Sequence, residues 1–238
     1  AGSLGGPSGH VMVGYGNKDM SGIDNESETW PKVIEAYKEI SYGGWIATSA
    51  SSDFGGMGLP LSITTCINEM MNSACISLAL NTLMTQGQIE ALSKHASQEI
   101  KEKYLPKLIS GEWSGTMNLT EPQAGSDVGA LKTVAKKLDD GSYEISGQKI
   151  YISWGDHNLT KNICHLILAR LPDGAPGSKG ISLFLVPKLL SDENNNYTIN
   201  NGVRIISLEK KMGLNGSPTA TISYEKSKGW IVGKPHKG

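Results

Sequence analysis

The sequence changes its hydrophobic period once, close to Gly111. Before this residue, apolar side chains recur every three or four positions, and after it they alternate with polar ones. The first period lines one side of a helix with apolar groups, and the second lines one face of a strand. Helices followed by strands predict an α+β protein, with a helical domain first and an antiparallel β-barrel or sandwich domain after it.

The helical region carries ordinary start and stop signals, such as a capping serine and a terminal glycine. The predicted helices begin at Thr29, cover 61–74 and 75–93, and run from Ser97 to Gly111. The helix over 75–93 is apolar on more than one side, so we predict that it is central and buried. We assign Met70 to the core because methionine fills irregular gaps.

The strand region consists of short β-rich runs separated by turns such as Asp139-Asp140-Gly141. The runs are 113–119, 131–138, 143–153, 163–171, 181–187, 203–208 and 219–224. We therefore predict a flexible or irregular N-terminal segment over 1–28, a helical domain over 29–111 and a middle β domain over 112–238.

The stretch Trp113–Asp127 (WSGTMNLTEPQAGSD) combines a strand, a proline turn and a polar glycine loop. Pro122 ends the strand because it has no backbone donor and restricts the residue before it. Residues 124–127 then offer successive backbone N–H groups beside a hydroxyl, which suits an anion or a cofactor. An ordinary strand followed by a Pro/Gly turn explains the same residues. The shape alone leaves both interpretations open.

Two sequence strings at a fixed spacing favour the cofactor interpretation over the ordinary turn. LTEPQAGSD at 119–127 and GQKIYIS at 147–153 resemble the paired signatures of the acyl-CoA dehydrogenase flavoproteins. Further blocks such as FGGMGLP at 54–60 and LEKKMGLNGSPT at 208–219 are similar to the large branch of that family that includes the 3-methylmercaptopropionyl-CoA dehydrogenases. Trp154, Asn158 and Lys161 differ from the residues expected in this branch.

The resemblance implies FAD-dependent α,β-dehydrogenation of an acyl-CoA thioester, in which a carboxylate base takes the α-proton and flavin N5 takes the β-hydride. It places the base, a glutamate, in a C-terminal helical domain beyond Gly238, so no catalytic residue is assigned within this chain. Glu121 is interpreted as a turn residue without a role in proton transfer. The implied partners are the acyl-CoA substrate, an electron-transfer flavoprotein as electron acceptor, and further copies of the chain in a homo-oligomer.

The resemblance also assigns five residues to cofactor binding, four in the first string and Met117 just before it. Met117, Leu119 and Thr120 are expected to contact the isoalloxazine through backbone groups and the Thr120 hydroxyl. Gly125 lets the backbone approach closely. Ser126 is expected where contacts to the phosphate and to the thioester chain meet, so it is assigned to the substrate as well as to the FAD.

The second string supplies two more cofactor-binding residues. Tyr151 takes the position of an aromatic residue that packs against the flavin, and Ser153 that of a hydroxyl that reaches the ring. The alternatives from the residues themselves are a core aromatic that packs across strands and an ordinary hydroxyl at a strand end. The histidines at 157 and 165 lack metal-ligand spacing and are interpreted as structural, hydrogen-bonded groups.

The composition argues against a nucleic-acid partner, a membrane span and a disulfide framework. The net charge is −1, from 22 Lys and Arg against 23 Asp and Glu, which gives no basic footprint for nucleic acid or a membrane surface. No apolar run is long enough to span a membrane, no secretory signal is visible, and the three cysteines lack a disulfide or zinc pattern, so the cytoplasm is expected. Two other functions remain open: a non-dehydrogenase flavoprotein of the same fold, including the DNA-associated alkylation-response proteins, and a flavin- or CoA-binding module without catalysis.

Overall fold

The computed structural model describes residues 29–238, in which three α-helices precede nine β-strands. The helices are α1 (Thr29–Tyr42), α2 (Leu61–His95) and α3 (Gln98–Ile109). The strands are β1 (Trp113–Asn118), β2 (Val134–Lys137), β3 (Tyr143–Ser153), β4 (Asn162–Arg170), β5 (Ile181–Pro187), β6 (Leu189–Ser191), β7 (Tyr197–Asn200), β8 (Val203–Leu208) and β9 (Thr219–Val232). The predicted α+β order is confirmed, and the predicted segment 1–28 lies outside the described residues.

Helix α2 joins two of the predicted helices across a kink. The kink lies at Cys75, where φ is −159° and ψ is 92°, and this is the predicted boundary between them. The prediction that the second half is central and buried holds for one side only, since Ile76 is 47% exposed and Leu83 is 41% exposed. The assignment of Met70 to the core is wrong, because this side chain is 63% exposed. The apolar residues predicted that a helix forms here, but not which of its sides are covered by other elements.

The covered side of α2 is partly polar and lies against the sheet. The Gln88 side-chain amide donates to the carbonyl oxygen of Cys164 at 2.9 Å, and the Thr85 hydroxyl accepts the N–H of Gly115 at 3.0 Å. A Cβ at Gly115 would lie 2.2 Å from Gln88 Oε1, so only glycine permits this close approach. These contacts fix β1, and the loop after it, against the helices.

The strands close into a barrel. β4, β2, β3, β9 and β5 pair in that order, and β5 returns to β4, while β1 adds to β4 and β8 adds to β9. Most of these pairs are antiparallel, as predicted. β4 also has two parallel neighbours: β2 meets it at Val134 opposite Arg170, and β1 runs beside it from Trp113 opposite Asn162 to Asn118 opposite Ile167. Parallel neighbours need a long connection, and the connection from β1 to β4 contains β2 and β3.

Two apolar clusters hold the arrangement together. One lies inside the barrel and includes Ile145, Ile167 and Phe184, all with no exposed surface. The other lies between the helices and the outside of the barrel, where Trp113 meets Tyr104 of α3 edge to face at 5.6 Å. β1 therefore has one face toward the helices and one toward the barrel interior, and it ends where the glycine loop begins.

Candidate functional site

The two signature strings lie side by side. The N–H of Ile150 on β3 donates to the carbonyl oxygen of Thr120 at 2.9 Å. The Lys149 ammonium donates to the carbonyl oxygen of Leu119 at 3.0 Å and to Glu121 Oε1 at 2.8 Å. The end of β1 and the end of β3, about thirty residues apart in sequence, thus form one continuous surface.

The first three residues of this surface are presented in different ways. Met117 is the exposed side chain of β1, with 40% of its surface accessible. Leu119 is half-buried and packs on the small apolar cluster that contains Ala124 and Leu131, and its carbonyl oxygen accepts the Lys149 ammonium. Thr120 is partly exposed, and its N–H and hydroxyl have no acceptor or donor within residues 29–238.

A β-bulge presents Tyr151. Lys149 pairs with Ile222 and Ile152 pairs with Ala220, so two residues of β3 stand opposite one of β9. Tyr151 has a φ of +61° and is 60% exposed. A bulge next to a site re-aims a side chain, and a positive φ in a bulky residue costs about 1–3 kcal/mol. The alternative interpretation of Tyr151 as a core aromatic is therefore wrong.

The fully buried aromatic residue at this end of β3 is Trp154. Its indole N–H donates to the carbonyl oxygen of Ser77 in α2 at 2.9 Å, just past the kink. The other two residues that differ from those expected in this branch, Asn158 and Lys161, are exposed. Asn158 Oδ1 accepts the indole N–H of Trp30 at 3.0 Å, and Lys161 forms an exposed ion pair with Glu112.

Four accessible hydroxyl groups on this surface form no hydrogen bond with any residue in 29–238. We call them the open hydroxyl group, which consists of Thr120, Ser126, Tyr151 and Ser153. Buried hydroxyls nearby behave differently, as Thr133 shows by donating to Glu121 at 2.6 Å. Hydroxyls without an internal partner can bind an external one without breaking an existing bond.

The glycine loop is closed at its base and open at its tip. Glu121 and Ala124 exchange two backbone hydrogen bonds of 3.0 Å. The N–H groups of the next three residues, 125–127, have no acceptor among the described residues. A Cβ placed on Gly125 meets no atom within 4 Å, so the space above this glycine is free for a ligand. The close approach of a cofactor at Gly125 stays a prediction.

Glu121 is part of the framework beneath this surface. Only 3% of it is exposed, and it accepts hydrogen bonds from Lys149, from the N–H of Lys132, and from the N–H and hydroxyl of Thr133. Burial alone would raise the pKa of Glu121, but these hydrogen bonds lower it to about 2. Such a carboxylate is a poor proton acceptor at neutral pH, in agreement with its exclusion as the base.

The polar residues on the other side of β1 form a separate set, which we call the interior polar group: Ser114, Thr116, Asn118, His157 and His165. Ser114 Oγ lies 3.0 Å from His157 Nε2, and Thr116 Oγ1 lies 2.6 Å from His165 Nδ1. Burial, followed by the charge of Lys188, lowers the pKa of both histidines to about 3. Residues 29–238 bring no three metal-ligating side chains together.

Sequence reasoning missed the Lys149–Glu121 pair. A signal was present, because Lys149 shares the inward-facing odd positions of β3 with Tyr143 and Ile145. A lysine at an inward position requires a buried carboxylate, but the sequence does not say which one. The backbone N–H groups of Thr120 and of residues 125–127, which have no acceptor among the described residues, could not be predicted either, because no residue type marks an unpaired backbone N–H.

Comparison with known proteins gives a consistent result. The model of the acyl-CoA dehydrogenase N-terminal domain matches residues 17–112, and that of the acyl-CoA dehydrogenase middle domain matches residues 116–227. The 3-methylmercaptopropionyl-CoA dehydrogenase of Ruegeria pomeroyi is 47% identical over 224 residues, which are 94% of this chain and 38% of that protein. This chain thus spans about two fifths of the length of that relative.

Two solved structures share the fold. The butyryl-CoA dehydrogenase of Megasphaera elsdenii has a TM-score of 0.73 and 26% identity, over 86% of this chain and 51% of that one. An acyl-CoA dehydrogenase complexed with FAD from Bacillus anthracis has a TM-score of 0.73 and 25% identity, over 88% of this chain and 33% of that one. No helix among residues 29–238 has both the length and the apolar character needed to cross a membrane.

Proposed function

This chain belongs to the acyl-CoA dehydrogenase family, and from that premise we propose that the protein oxidises an acyl-CoA thioester to its α,β-enoyl form with FAD as the oxidant. The single observation that carries the proposal is the open hydroxyl group, held beside the free N–H groups of the glycine loop. All of these groups are accessible, and none has a partner within the described residues.

The donor set fits a flavin. The proposed contacts to the ring are the backbone of Met117 and Leu119, the N–H and hydroxyl of Thr120, and the hydroxyl of Ser153. The exposed ring of Tyr151 supplies a flat apolar surface for stacking. The N–H groups at 125–127 suit a phosphate oxygen, because free backbone donors bind anions.

When bound, the flavin supplies the chemistry by accepting the β-hydride of the substrate. The residues of this chain hold and orient it, and we propose that Ser126 contacts both the cofactor phosphate and the substrate. The α-proton requires a carboxylate base, and we propose that this is a glutamate outside residues 1–238. Glu121 does not qualify, since its oxygens already accept several hydrogen bonds.

The substrate class and the partners follow from the family. We propose an acyl-CoA as substrate, an electron-transfer flavoprotein as the acceptor of the two electrons, and a homo-oligomer as the assembled form. The cytoplasm stays a prediction from the sequence. The R. pomeroyi relative makes 3-methylmercaptopropionyl-CoA a suitable first substrate to test, with butyryl-CoA as its apolar counterpart.

The test uses the complete protein. We expect it to purify yellow or to take up FAD after reconstitution, and we expect anaerobic addition of an acyl-CoA to bleach the flavin absorbance. A colourless protein that FAD cannot reconstitute would contradict the cofactor proposal. A protein that binds FAD but is bleached by no acyl-CoA, while dithionite still reduces it, would favour the alternative of a non-dehydrogenase flavoprotein.

A further inference from the structure

Lys149 and Glu121 form a buried ion pair that joins the two signature strings. The Lys149 side chain has no exposed surface and that of Glu121 has 3%. The ammonium also donates to the carbonyl oxygen of Leu119, so it has two acceptors, one on each side of Thr120. No other residue contacts both flanks of Thr120 among the hydrogen bonds of residues 29–238.

The contact with Leu119 fixes the direction of a peptide group. The peptide between Leu119 and Thr120 is planar and trans, so its C=O and N–H point in opposite directions. Lys149 holds the C=O toward the protein interior, and the N–H of Thr120 therefore points away from Lys149. The next carbonyl, that of Thr120, is held by the N–H of Ile150. Both peptides around Thr120 are thus fixed, while its N–H has no acceptor among the described residues.

Glu121 completes this support from the other side. Its two carboxylate oxygens accept the Lys149 ammonium, the N–H groups of Lys132 and Thr133, the Thr133 hydroxyl and the Gln123 amide. The residues between Glu121 and Thr133 contain the whole glycine loop. One carboxylate therefore closes this loop at its base and ties it to the lysine beneath Thr120.

A buried ion pair is weak evidence for stability, because an apolar pair of similar volume is often as stable. Orientation is the better explanation here, since Lys149 contacts the backbone on both sides of Thr120, whose N–H and hydroxyl have no partner within residues 29–238. Resting on the function proposed above, we propose that Lys149 is a positioning residue: it holds the Leu119–Thr120 peptide so that the Thr120 N–H faces the flavin ring. Glu121 keeps the ammonium in place.

The test compares Lys149→Met with the double variant Lys149→Met/Glu121→Gln in the complete protein. The single change leaves a buried carboxylate unpaired, so both stability and FAD binding should fall. The double change removes both charges, so the melting temperature should recover in part. Recovery is incomplete because the amide nitrogen of the glutamine faces a backbone N–H that the carboxylate accepted. FAD affinity should not recover, because the Leu119 carbonyl is still released. We expect the FAD dissociation constant of both variants to rise about tenfold, which equals about 1.4 kcal/mol, with a shifted visible flavin spectrum.

The chain offers a matched control in its second buried pair. Lys188 and Asp156 lie 2.5 Å apart, are 9% and 2% exposed, and hydrogen-bond neither Thr120 nor the glycine loop. Lys188→Met should lower the melting temperature as Lys149→Met does. The FAD dissociation constant and the flavin spectrum of the folded variant should stay at the wild-type values.

Recovery of FAD affinity together with stability in the double variant would overturn the inference, since a purely structural role predicts that result. If neither variant folds, Lys149→Arg decides. A guanidinium keeps the charge but not the geometry, so an unchanged dissociation constant and spectrum would count against positioning. Failure of the wild-type protein to bind FAD would instead reject the proposed function, which keeps the two failures distinguishable.

Discussion

Two sets of polar side chains lie close together in the fold, one on and beside β1 and the other just past β1 and on β3, and they differ in their hydrogen-bond partners. The interior polar group has short internal hydrogen bonds, such as Thr116 Oγ1 to His165 Nδ1 at 2.6 Å. The open hydroxyl group begins at Thr120, two residues past the end of β1, and has none within residues 29–238. Similar polar side chains in neighbouring parts of the fold are therefore hydrogen-bonded in one group and without a partner among the described residues in the other.

The difference separates residues that stabilise the fold from residues that can bind. A buried polar group needs a partner because leaving it unpaired costs about 1–3 kcal/mol. An accessible hydroxyl pays no such cost, since water can occupy it until a ligand does. Changes in the interior polar group should therefore reduce stability, and changes in the open hydroxyl group should reduce FAD binding.

The largest expected effect is the loss of stability in acid. Burial lowers the pKa of His157 and His165 from 6.5 to about 3, so between these values the unfolded chain binds two protons that the folded chain does not. Their contribution is complete above about pH 6.5 and falls as the pH drops toward 3. In this window the two histidines should together lower the free energy of unfolding by roughly 3 kcal/mol per pH unit. Urea unfolding at several pH values measures this slope.

Single variants assign the slope to the histidines. His157→Gln and His165→Gln should each remove about one proton from the pH dependence, or about 1.4 kcal/mol per pH unit. His95→Gln, at an exposed position, is the control and should keep the wild-type slope. An unchanged slope in both interior variants would show that other groups dominate the acid response.

The second prediction uses the two aromatic residues at the end of β3. Both Tyr151 and Trp154 have positive φ, but Trp154 is fully buried and Tyr151 is 60% exposed. Trp154→Ala should lower the free energy of unfolding by about 3–5 kcal/mol, because it leaves a large cavity. Tyr151→Ala should lower it by less than about 1 kcal/mol. Similar losses for both variants in urea unfolding would remove the distinction between the two regions.

The sequence could predict the order of elements but not their pairing. The hydrophobic period changes at Gly111, and this change separates helices from strands whatever the pairing of the strands, because each element must bury its own apolar side. The parallel pairing of β1 with β4 depends on contacts across more than forty residues, and no local pattern encodes it. The exposure of Ile76 and Leu83 could not be predicted either, because the hydrophobicity of a residue does not determine whether a neighbouring element covers its side chain.

The candidate site was predictable only as a set of residues. The two strings named every member of the open hydroxyl group, but the run Ile150-Tyr151-Ile152 reads as regular alternation and gives no sign of the bulge. Lys149 could be recognised as inward-facing. Its carboxylate partner lies 28 residues away at a turn, so only the fold could identify Glu121.

The third prediction tests whether the exposed ring is used for binding. Tyr151→Ala should weaken FAD binding about tenfold, because aromatic stacking and the burial of the ring together are worth about 1.4 kcal/mol. Tyr151→Phe keeps the ring and should stay within about threefold of the wild type. Titration of the apoprotein with FAD measures both. Equal affinities for Ala and Phe variants would mean that the ring does not contact the cofactor.

The smallest expected effect is at a single hydroxyl. Thr120→Val keeps the shape of the side chain and removes its donor, so it should weaken FAD binding by about 1 kcal/mol, or about fivefold. The free energy of unfolding should not change, because the Thr120 hydroxyl has no partner within residues 29–238. Thr133→Val is the contrasting variant, since its hydroxyl donates to the buried Glu121 at 2.6 Å. That change should lower stability first and affect FAD binding only through the loop that Glu121 closes. If Thr120→Val destabilises the apoprotein as much as Thr133→Val does, the hydroxyl has an internal role and the division between the two groups does not hold at this residue.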